Sequence, residues 1–259
     1  MAHPLFFVGS LPHKSRKEAI RFVENYAEDL PFLPQLPELN PQEDMIGQVL
    51  RGMEMGLWDD QASIAFKPFI STFANAKRAK IQIAGPVTVA RTLCVDATSL
   101  FDPWKNLCKG ITSQMRHGGF QGELWLQIDE PFWDKKKPLP PTYTKFLESI
   151  RTPKQKIGVH TCGLPRPDLS DEMVREFDFI SMDFLAAPMT SDETVLWAKH
   201  LASEKKILVA GILNEEGNPE YESIGLLKGN PSIWLSSPCG HATWSDAKLQ
   251  RFLKGISKT

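Results

Sequence analysis

Short apolar segments recur along the chain, and each is followed by a turn and then by a longer segment whose apolar residues have helical spacing. The eight apolar segments are Leu5–Val8, Phe32–Leu36, Ile81–Ala84, Leu124–Ile128, Ile157–His160, Phe179–Met182, Ile207–Ala210 and Ile233–Leu235. The helical segments are Lys14–Tyr26, Asp44–Gly52, Val87–Leu93, Pro103–His117, Thr142–Ile150, Asp171–Phe177, Ser191–Ser203 and Tyr221–Leu227. Strands that alternate with helices favour parallel β-α-β units over a β-sandwich.

Eight such units predict an α/β fold, specifically a (β/α)8 TIM barrel, because a barrel of this kind typically needs about 250 residues and the chain has 259. The 20 prolines are spread along the sequence and do not mark a linker, so residues 1–259 are expected to form a single domain. An open, doubly wound sheet is the alternative. It is less favoured because no G-x-G-x-x-G turn follows any predicted strand.

Charge and cysteine content limit the function classes. The chain has 30 Lys and Arg against 31 Asp and Glu, a formal net charge of −1, which does not favour binding to nucleic acid or to an anionic membrane. Its start lacks a signal-peptide pattern, and no apolar run approaches the roughly 18 residues of a spanning helix. The 4 cysteines are too sparse for a disulfide framework. We therefore expect a cytoplasmic protein with reduced thiols.

Two of the cysteines lie at predicted strand ends, where the active site of such a barrel would be. His160 and Cys162 form an H-x-C pair, and alternate residues leaving a strand point the same way. With Cys239 from the eighth segment and a carboxylate from the sixth, they could hold zinc, which favours imidazole and thiolate ligands. Spacing alone leaves structural roles for these residues equally open, and Cys94 and Cys108 are expected to be buried apolar side chains.

Five motifs then occur in an order that resembles the catalytic barrel of cobalamin-independent methionine synthase. They are Phe7-Val8-Gly9-Ser10-Leu11-Pro12, Ile83-Ala84-Gly85-Pro86-Val87-Thr88, Gln127-Ile128-Asp129-Glu130-Pro131, His160-Thr161-Cys162-Gly163 and Ser237-Pro238-Cys239-Gly240. The resemblance covers residues 5–245, and it extends to the wider superfamily that includes uroporphyrinogen decarboxylase and corrinoid-dependent methyltransferases.

The resemblance implies a zinc-dependent transfer of a methyl group to the thiol of homocysteine, which gives methionine. It implies that His160, Cys162 and Cys239 bind zinc, and that Asp129 is the active-site carboxylate that holds the substrate amino group. The Gly9-Ser10 turn resembles the one whose backbone receives the substrate carboxylate. Glu38 is expected to be a second carboxylate that binds the ammonium group.

Three departures from the family pattern qualify these expectations. The family has Glu as its fourth zinc ligand, where this chain has Asp183, 23 residues after His160, with His241 as the alternative ligand. The full-length family enzyme carries a further barrel that helps bind folate, and a length of 259 residues accommodates one barrel. The family also has a His after strand seven that protonates the folate leaving group, whereas this chain has Gly211-Ile212-Leu213-Asn214.

We hypothesise from the last two departures that the methyl donor is a methylated corrinoid protein or another donor, and not methyl-folate. A methyl–cobalt donor departs without a proton, whereas the folate nitrogen needs one. The alternatives are a corrinoid-dependent methyltransferase acting on another thiol such as coenzyme M, and a barrel that binds zinc or a metabolite without turnover. Decarboxylation of uroporphyrinogen is less favoured, because it would leave His160, Cys162 and Cys239 without a role.

Overall fold

A computed structural model describes residues 3–132, 141–162, 175–185, 200–201, 203–220 and 232–257. These residues form an α/β structure around a six-stranded sheet in which every neighbouring pair of strands is parallel and the strand order follows the chain. The strands are β1 (Arg78–Ala84), β2 (Glu123–Asp129), β3 (Gln155–Thr161), β4 (Phe179–Asp183), β5 (Ile207–Gly211) and β6 (Ile233–Ser236). The last six apolar segments of the sequence are therefore confirmed as parallel strands.

The first two apolar segments form isolated bridges in place of strands. Leu5 bridges Leu235 of β6, Phe32 bridges Lys80 of β1, and Ser10 bridges Gln35. Prolines explain the short pairing of the second segment, since Pro31, Pro34 and Pro37 have no N–H to donate to a ladder. The structure thus shows a six-stranded sheet whose two edge strands each contact a segment near the N-terminus.

Seven α-helices lie wholly within the described parts of the chain. They are α1 (Arg16–Tyr26), α2 (Met45–Met55), α3 (Phe66–Phe73), α4 (Pro86–Leu93), α5 (Phe101–His117), α6 (Pro141–Ile150) and α7 (Asp246–Ile256), with 3-10 helices at Pro41–Glu43 and Ala97–Leu100. The first five predicted helices are confirmed, whereas α3 and α7 were not predicted. The predicted helices Asp171–Phe177, Ser191–Ser203 and Tyr221–Leu227 lie mostly or wholly outside the described residues.

Local sequence explains where α2 begins and ends, and this helix borders the cavity described below. The Asp44 carboxylate caps the first turn by accepting hydrogen bonds from the backbone N–H groups of Ile46 and Gly47, both at 2.9 Å. Gly56 ends the helix with a φ of 67°, a left-handed conformation that glycine adopts at little cost. No helix in the described ranges combines the length and apolar character needed to cross a membrane.

The sheet has two chemically different faces because successive side chains of a strand alternate. One face is apolar and belongs to the large core that includes residues from the helices, with Ile81, Leu126 and Ile180 among its members. The opposite face holds a separate cluster of apolar side chains near the N-terminal ends of the strands: Phe6, Leu30, Trp125, Phe179, Val209 and Trp234. Further along the strands this second face becomes polar, with buried Gln82, Gln127, Asp129, His160 and Ser181.

Candidate metal centre and substrate cavity

Three of the predicted zinc ligands lie together at the C-terminal ends of the strands. One ligand atom each from His160, Cys162 and Cys239 can be chosen so that all lie within 4.8 Å of one another. His160 is in β3, Cys162 follows that strand directly, and Cys239 follows β6. In a flat sheet three strand spacings would separate β3 from β6 by about 14 Å. The closeness of the side chains therefore shows that this face of the sheet is concave.

His160 is oriented by a hydrogen bond on the neighbouring strand. Its Nδ1 lies 2.9 Å from Oγ of Ser181, which pairs with His160 in the parallel register of β3 and β4. The imidazole is buried, and its Nε2 has no oxygen or nitrogen partner within the described ranges. A buried polar nitrogen without such a partner is costly. The contact at Nδ1 leaves Nε2 available to a metal ion, which is how ligating histidines are commonly held.

The donor set fits zinc. One imidazole and two sulfurs form a three-residue set that leaves one coordination position for a substrate, as in catalytic zinc sites. Hydrogen bonding to Cys162, and then to His160, lowers the pKa of Cys239 to about 4. Because the thiolate is the form of cysteine that binds metal, this environment prepares Cys239 as a ligand before any ion arrives.

A cavity of about 280 Å³ opens onto the three ligands. Its walls also include Ser10 and Asp129, two residues predicted to hold the substrate. Glu43 and Asp44, at the start of α2, complete an acidic rim that the sequence did not predict. Ligand-binding cavities commonly combine apolar walls with a few placed polar groups. The cavity therefore offers a sulfur-binding end and a carboxylate-bearing wall within one space.

Asp129 ends β2 and is buried in the cavity wall. Its Oδ1 accepts a hydrogen bond of 2.7 Å from Nε2 of Gln127, two residues earlier on the same face of the strand. Burial raises the pKa of Asp129, while the electrostatic influence of His160, the hydrogen bond from Gln127 and the positive charge of Lys80 act in the opposite direction. A ligand ammonium group beside Asp129 would further stabilise the carboxylate.

The Gly9-Ser10 turn is fixed by close contacts on both sides. Gly9 has a φ of 145°, and a Cβ atom there would lie 2.2 Å from the side-chain amide of Gln82. Ser10 packs against Gly240, where an added Cβ would lie 1.9 Å from the Ser10 Oγ. The backbone carbonyl of Ser10 also accepts a hydrogen bond of 2.8 Å from the N–H of His241. These contacts tie the first apolar segment to the loop that carries Cys239.

Two predicted site residues lie outside this arrangement. Glu38 is exposed in the turn before the first 3-10 helix and is not among the residues that line the cavity. Asp183 is not part of the three-ligand group, and its Oδ1 accepts a hydrogen bond of 2.9 Å from the Leu185 N–H. The carboxylate is one methylene shorter than the Glu of the family pattern, so it reaches less far from the strand. Its role as fourth ligand stays a prediction.

His241, the alternative fourth ligand, is also outside the three-ligand group. Its ring lies among aromatic side chains, with centroid distances of 4.2 Å to Trp244, 5.0 Å to Phe252 and 6.2 Å to Phe7. Burial, and secondarily the charge of Lys248, lower the pKa of His241 to about 3. The structure therefore places a neutral, packed imidazole here.

Glu130, Cys94 and Cys108 are not among the residues that line the cavity. Glu130 is structural: its carboxylate accepts hydrogen bonds from the N–H groups of Val87 and Thr88, at 3.1 and 2.7 Å, and so caps α4. Cys108 is buried as predicted. The prediction of a buried Cys94 was wrong, because this residue is exposed where α4 ends, with a φ of 57°.

The sequence analysis did not predict the buried polar residues of β1 and β2 that precede the site along the strands. Lys80, Gln82 and Gln127 are buried on the concave face of β1 and β2, in the same alternating positions as Ala84 and Asp129. The signal was available: Lys80-x-Gln82 and Gln127-x-Asp129 place polar residues at every second position within apolar segments. Such a pattern on a buried strand indicates a polar interior.

Comparison with known proteins identifies no family for this chain. No protein-family model matches it, and no curated protein matches it. The roles of Asp129 and of the Gly9-Ser10 turn in binding a substrate therefore stay predictions that the resemblance implies, whereas the closeness of His160, Cys162 and Cys239 is a finding of the structure.

Proposed function

We propose that the protein is a zinc-dependent methyltransferase that transfers a methyl group to the thiol of homocysteine and so forms methionine. One observation carries this proposal. His160, Cys162 and Cys239 bring their ligand atoms within 4.8 Å of one another. The same three residues share one cavity with Asp129 and Ser10. A thiol-activating metal site and a pair of groups suited to an amino acid would therefore face the same bound molecule.

Each residue has a defined role in this proposal. His160 Nε2 and the sulfurs of Cys162 and Cys239 hold zinc, which when bound lowers the pKa of the substrate thiol so that a thiolate nucleophile exists at neutral pH. Ser181 keeps the His160 ring in place through its contact with Nδ1. Asp129 receives the substrate ammonium group, and backbone N–H groups of the Gly9-Ser10 turn receive its carboxylate.

The methyl donor in this proposal is a methylated corrinoid protein. The segment at the end of β5, Gly211-Ile212-Leu213-Asn214, contains no histidine that could protonate a folate leaving group in the way the family His does. When the thiolate attacks a methyl–cobalt donor, the new S–C bond forms as the C–Co bond breaks, and cobalt keeps the electron pair. That reaction needs no acid from this chain.

The proposed architecture is a closed eight-stranded barrel. The bridges between Leu5 and Leu235, Ser10 and Gln35, and Phe32 and Lys80 support it, since they connect β6 to β1 through the two N-terminal segments. The concave face needed to bring Cys239 to His160 supports it as well. We also propose a cytoplasmic location, where the thiols that bind zinc stay reduced.

Metal analysis beside a transfer assay tests this function. Protein purified without chelator should contain close to one zinc per chain, and Cys162→Ser or Cys239→Ser should lose it. Cys94→Ser is the matched control because Cys94 is exposed and distant in sequence from the ligand set. Methionine formation should be seen with methylcobalamin and not with methyl-folate. A wild-type protein that binds no zinc would refute the proposal.

The identity of the thiol is tested separately through Asp129. Replacing Asp129 by Ala should raise the KM for homocysteine and leave the KM for a thiol without an amino group unchanged. An unchanged KM for homocysteine would indicate a different thiol, such as coenzyme M. Zinc binding without transfer from any donor would instead indicate a non-catalytic binding protein.

A further inference from the structure

A lysine is buried inside the sheet beneath the cavity. Lys80, in β1, has no exposed surface, and its ammonium group would be costly to bury without partners. Its Nζ donates to the carbonyl oxygen of Val8 at 2.7 Å, to Oε1 of Gln82 at 3.0 Å and to Oε1 of Gln127 at 3.4 Å. All three acceptors are neutral oxygens, and all three residues adjoin the predicted substrate-binding groups: Val8 and Gln82 at Gly9, and Gln127 at Asp129.

The first connection leads to Asp129. An ammonium group is only a donor, so Lys80 requires the oxygen of the Gln127 amide to face it. The Gln127 amide nitrogen then points the other way and donates to Asp129 Oδ1 at 2.7 Å. Lys80 thereby determines which end of the Gln127 amide meets Asp129, and that contact favours the ionised carboxylate.

The second connection leads to the Gly9-Ser10 turn. The Val8 carbonyl, directly before this turn, accepts from Lys80 Nζ at 2.7 Å and from Gln127 Nε2 at 3.3 Å. Gln82, whose amide oxygen also accepts from Lys80, fills the space against Gly9 and donates to the Leu33 carbonyl at 2.7 Å. One buried side chain therefore supports both the turn and the carboxylate.

We propose that Lys80 is a positioning residue for amino-acid recognition, which holds the Gly9-Ser10 turn and Asp129 at the separation required by the carboxylate and ammonium ends of an amino-acid thiol. This inference rests on the proposed function and extends it to the origin of substrate selectivity. Lys80 does not line the cavity and is not in the three-ligand group. It acts through its hydrogen bonds to Val8, Gln82 and Gln127, and its positive charge also attracts the Asp129 carboxylate.

The test compares ligands that differ only in the amino-acid end. Zinc-loaded full-length protein is titrated calorimetrically with homocysteine and with 1-propanethiol, which lacks both charged groups. Lys80→Met should weaken homocysteine binding roughly tenfold, the order expected for losing charge-assisted hydrogen bonds, while the Kd for propanethiol and the zinc content stay unchanged. Lys77→Met is the matched control, because Lys77 is an exposed lysine three residues earlier.

A second variant tests the connection between Lys80 and Asp129 if Lys80→Met does not fold. Gln127→Met removes the amide between Lys80 and Asp129 and should reduce the selectivity for homocysteine over 4-sulfanylbutanoate, which lacks the amino group. Where both variants fold, the double variant should lose less selectivity than the sum of the two single losses, because Gln127 transmits part of the effect of Lys80 on Asp129.

Three results would overturn the inference: unchanged selectivity in Lys80→Met, an equal loss for both thiols, or additive losses in the double variant. Failure of the proposed function appears in the wild-type protein instead, as absence of zinc or of any preference for homocysteine. The wild-type measurements and the variant measurements therefore separate the two failures.

Discussion

His241 should make the protein lose stability in mild acid. The folded structure holds this imidazole neutral among Phe7, Trp244 and Phe252, and its pKa falls from 6.5 to about 3 because of burial, with the charge of Lys248 as a lesser cause. In the unfolded chain the same group takes up a proton near pH 6.5. Between pH 6.5 and pH 3 the unfolded state therefore binds the additional proton at this histidine, and the contribution of His241 to the free energy of unfolding decreases as the pH falls.

The size of this loss follows from the two pKa values. Below pH 6 each pH unit removes up to about 1.4 kcal/mol, because one proton separates the folded from the unfolded state. Between pH 7 and pH 5 the contribution of His241 decreases by about 2 kcal/mol. This is a substantial part of the roughly 5–15 kcal/mol that stabilises a typical domain. The pH window lies between the folded and unfolded pKa values of this histidine.

Urea unfolding at pH 7 and pH 5 measures the effect. His241→Phe keeps an aromatic ring and removes the titration, so its stability should decrease by about 2 kcal/mol less than that of the wild type over this interval. A chelator in all samples prevents proton competition for zinc from contributing. The control is His117→Gln, which changes an exposed histidine. Equal pH dependence in His241→Phe and the wild type would refute the argument that this imidazole is buried neutral.

Three further predictions concern residues around the cavity. Glu43 accepts hydrogen bonds from the backbone N–H groups of Leu36 and Ile64, so Glu43→Ala should reduce the free energy of unfolding by about 2–5 kcal/mol; a change below 1 kcal/mol in urea unfolding would contradict this. Gly9→Ala should weaken homocysteine binding at unchanged zinc content, because its Cβ would displace Gln82; calorimetry that shows wild-type affinity would argue against a tightly packed turn. Asp183→Ala should weaken zinc binding about tenfold or more in competition with a chromogenic chelator if Asp183 is the fourth ligand, and an unchanged zinc Kd would remove it from the ligand set.

The alternating apolar segments predicted the strands because the signal for a buried parallel strand is local. Six of the eight segments are strands, and each strand begins and ends within three residues of its predicted bounds. Apolar content did not distinguish the two segments that form only bridges, since Leu5–Val8 is wholly apolar and Phe32–Leu36 has Phe or Leu at three of its five positions. Its prolines reduce the backbone N–H groups available for pairing.

Part of the candidate site was predictable for a similar reason. His160-x-Cys162 at the end of a strand predicted two side chains on one side, and the structure has both in the three-ligand group. Cys239, 77 residues after Cys162, could be added only by assuming that the strand ends converge. Glu38 was expected at the cavity from the family resemblance, but it is exposed in a turn, and Glu43 and Asp44 line the cavity instead.

The sequence by itself determined the order of the elements, the apolar face of each strand and the H-x-C pair, because each depends on residues that are neighbours in the chain. Only the tertiary structure decided which polar groups meet. Curvature of the sheet brings Cys239 to His160, and packing against aromatic rings makes His241 a buried neutral group. Burial also connects Lys80 through Gln127 to Asp129. Such contacts depend on distances across the fold, for which a one-dimensional pattern carries no direct signal.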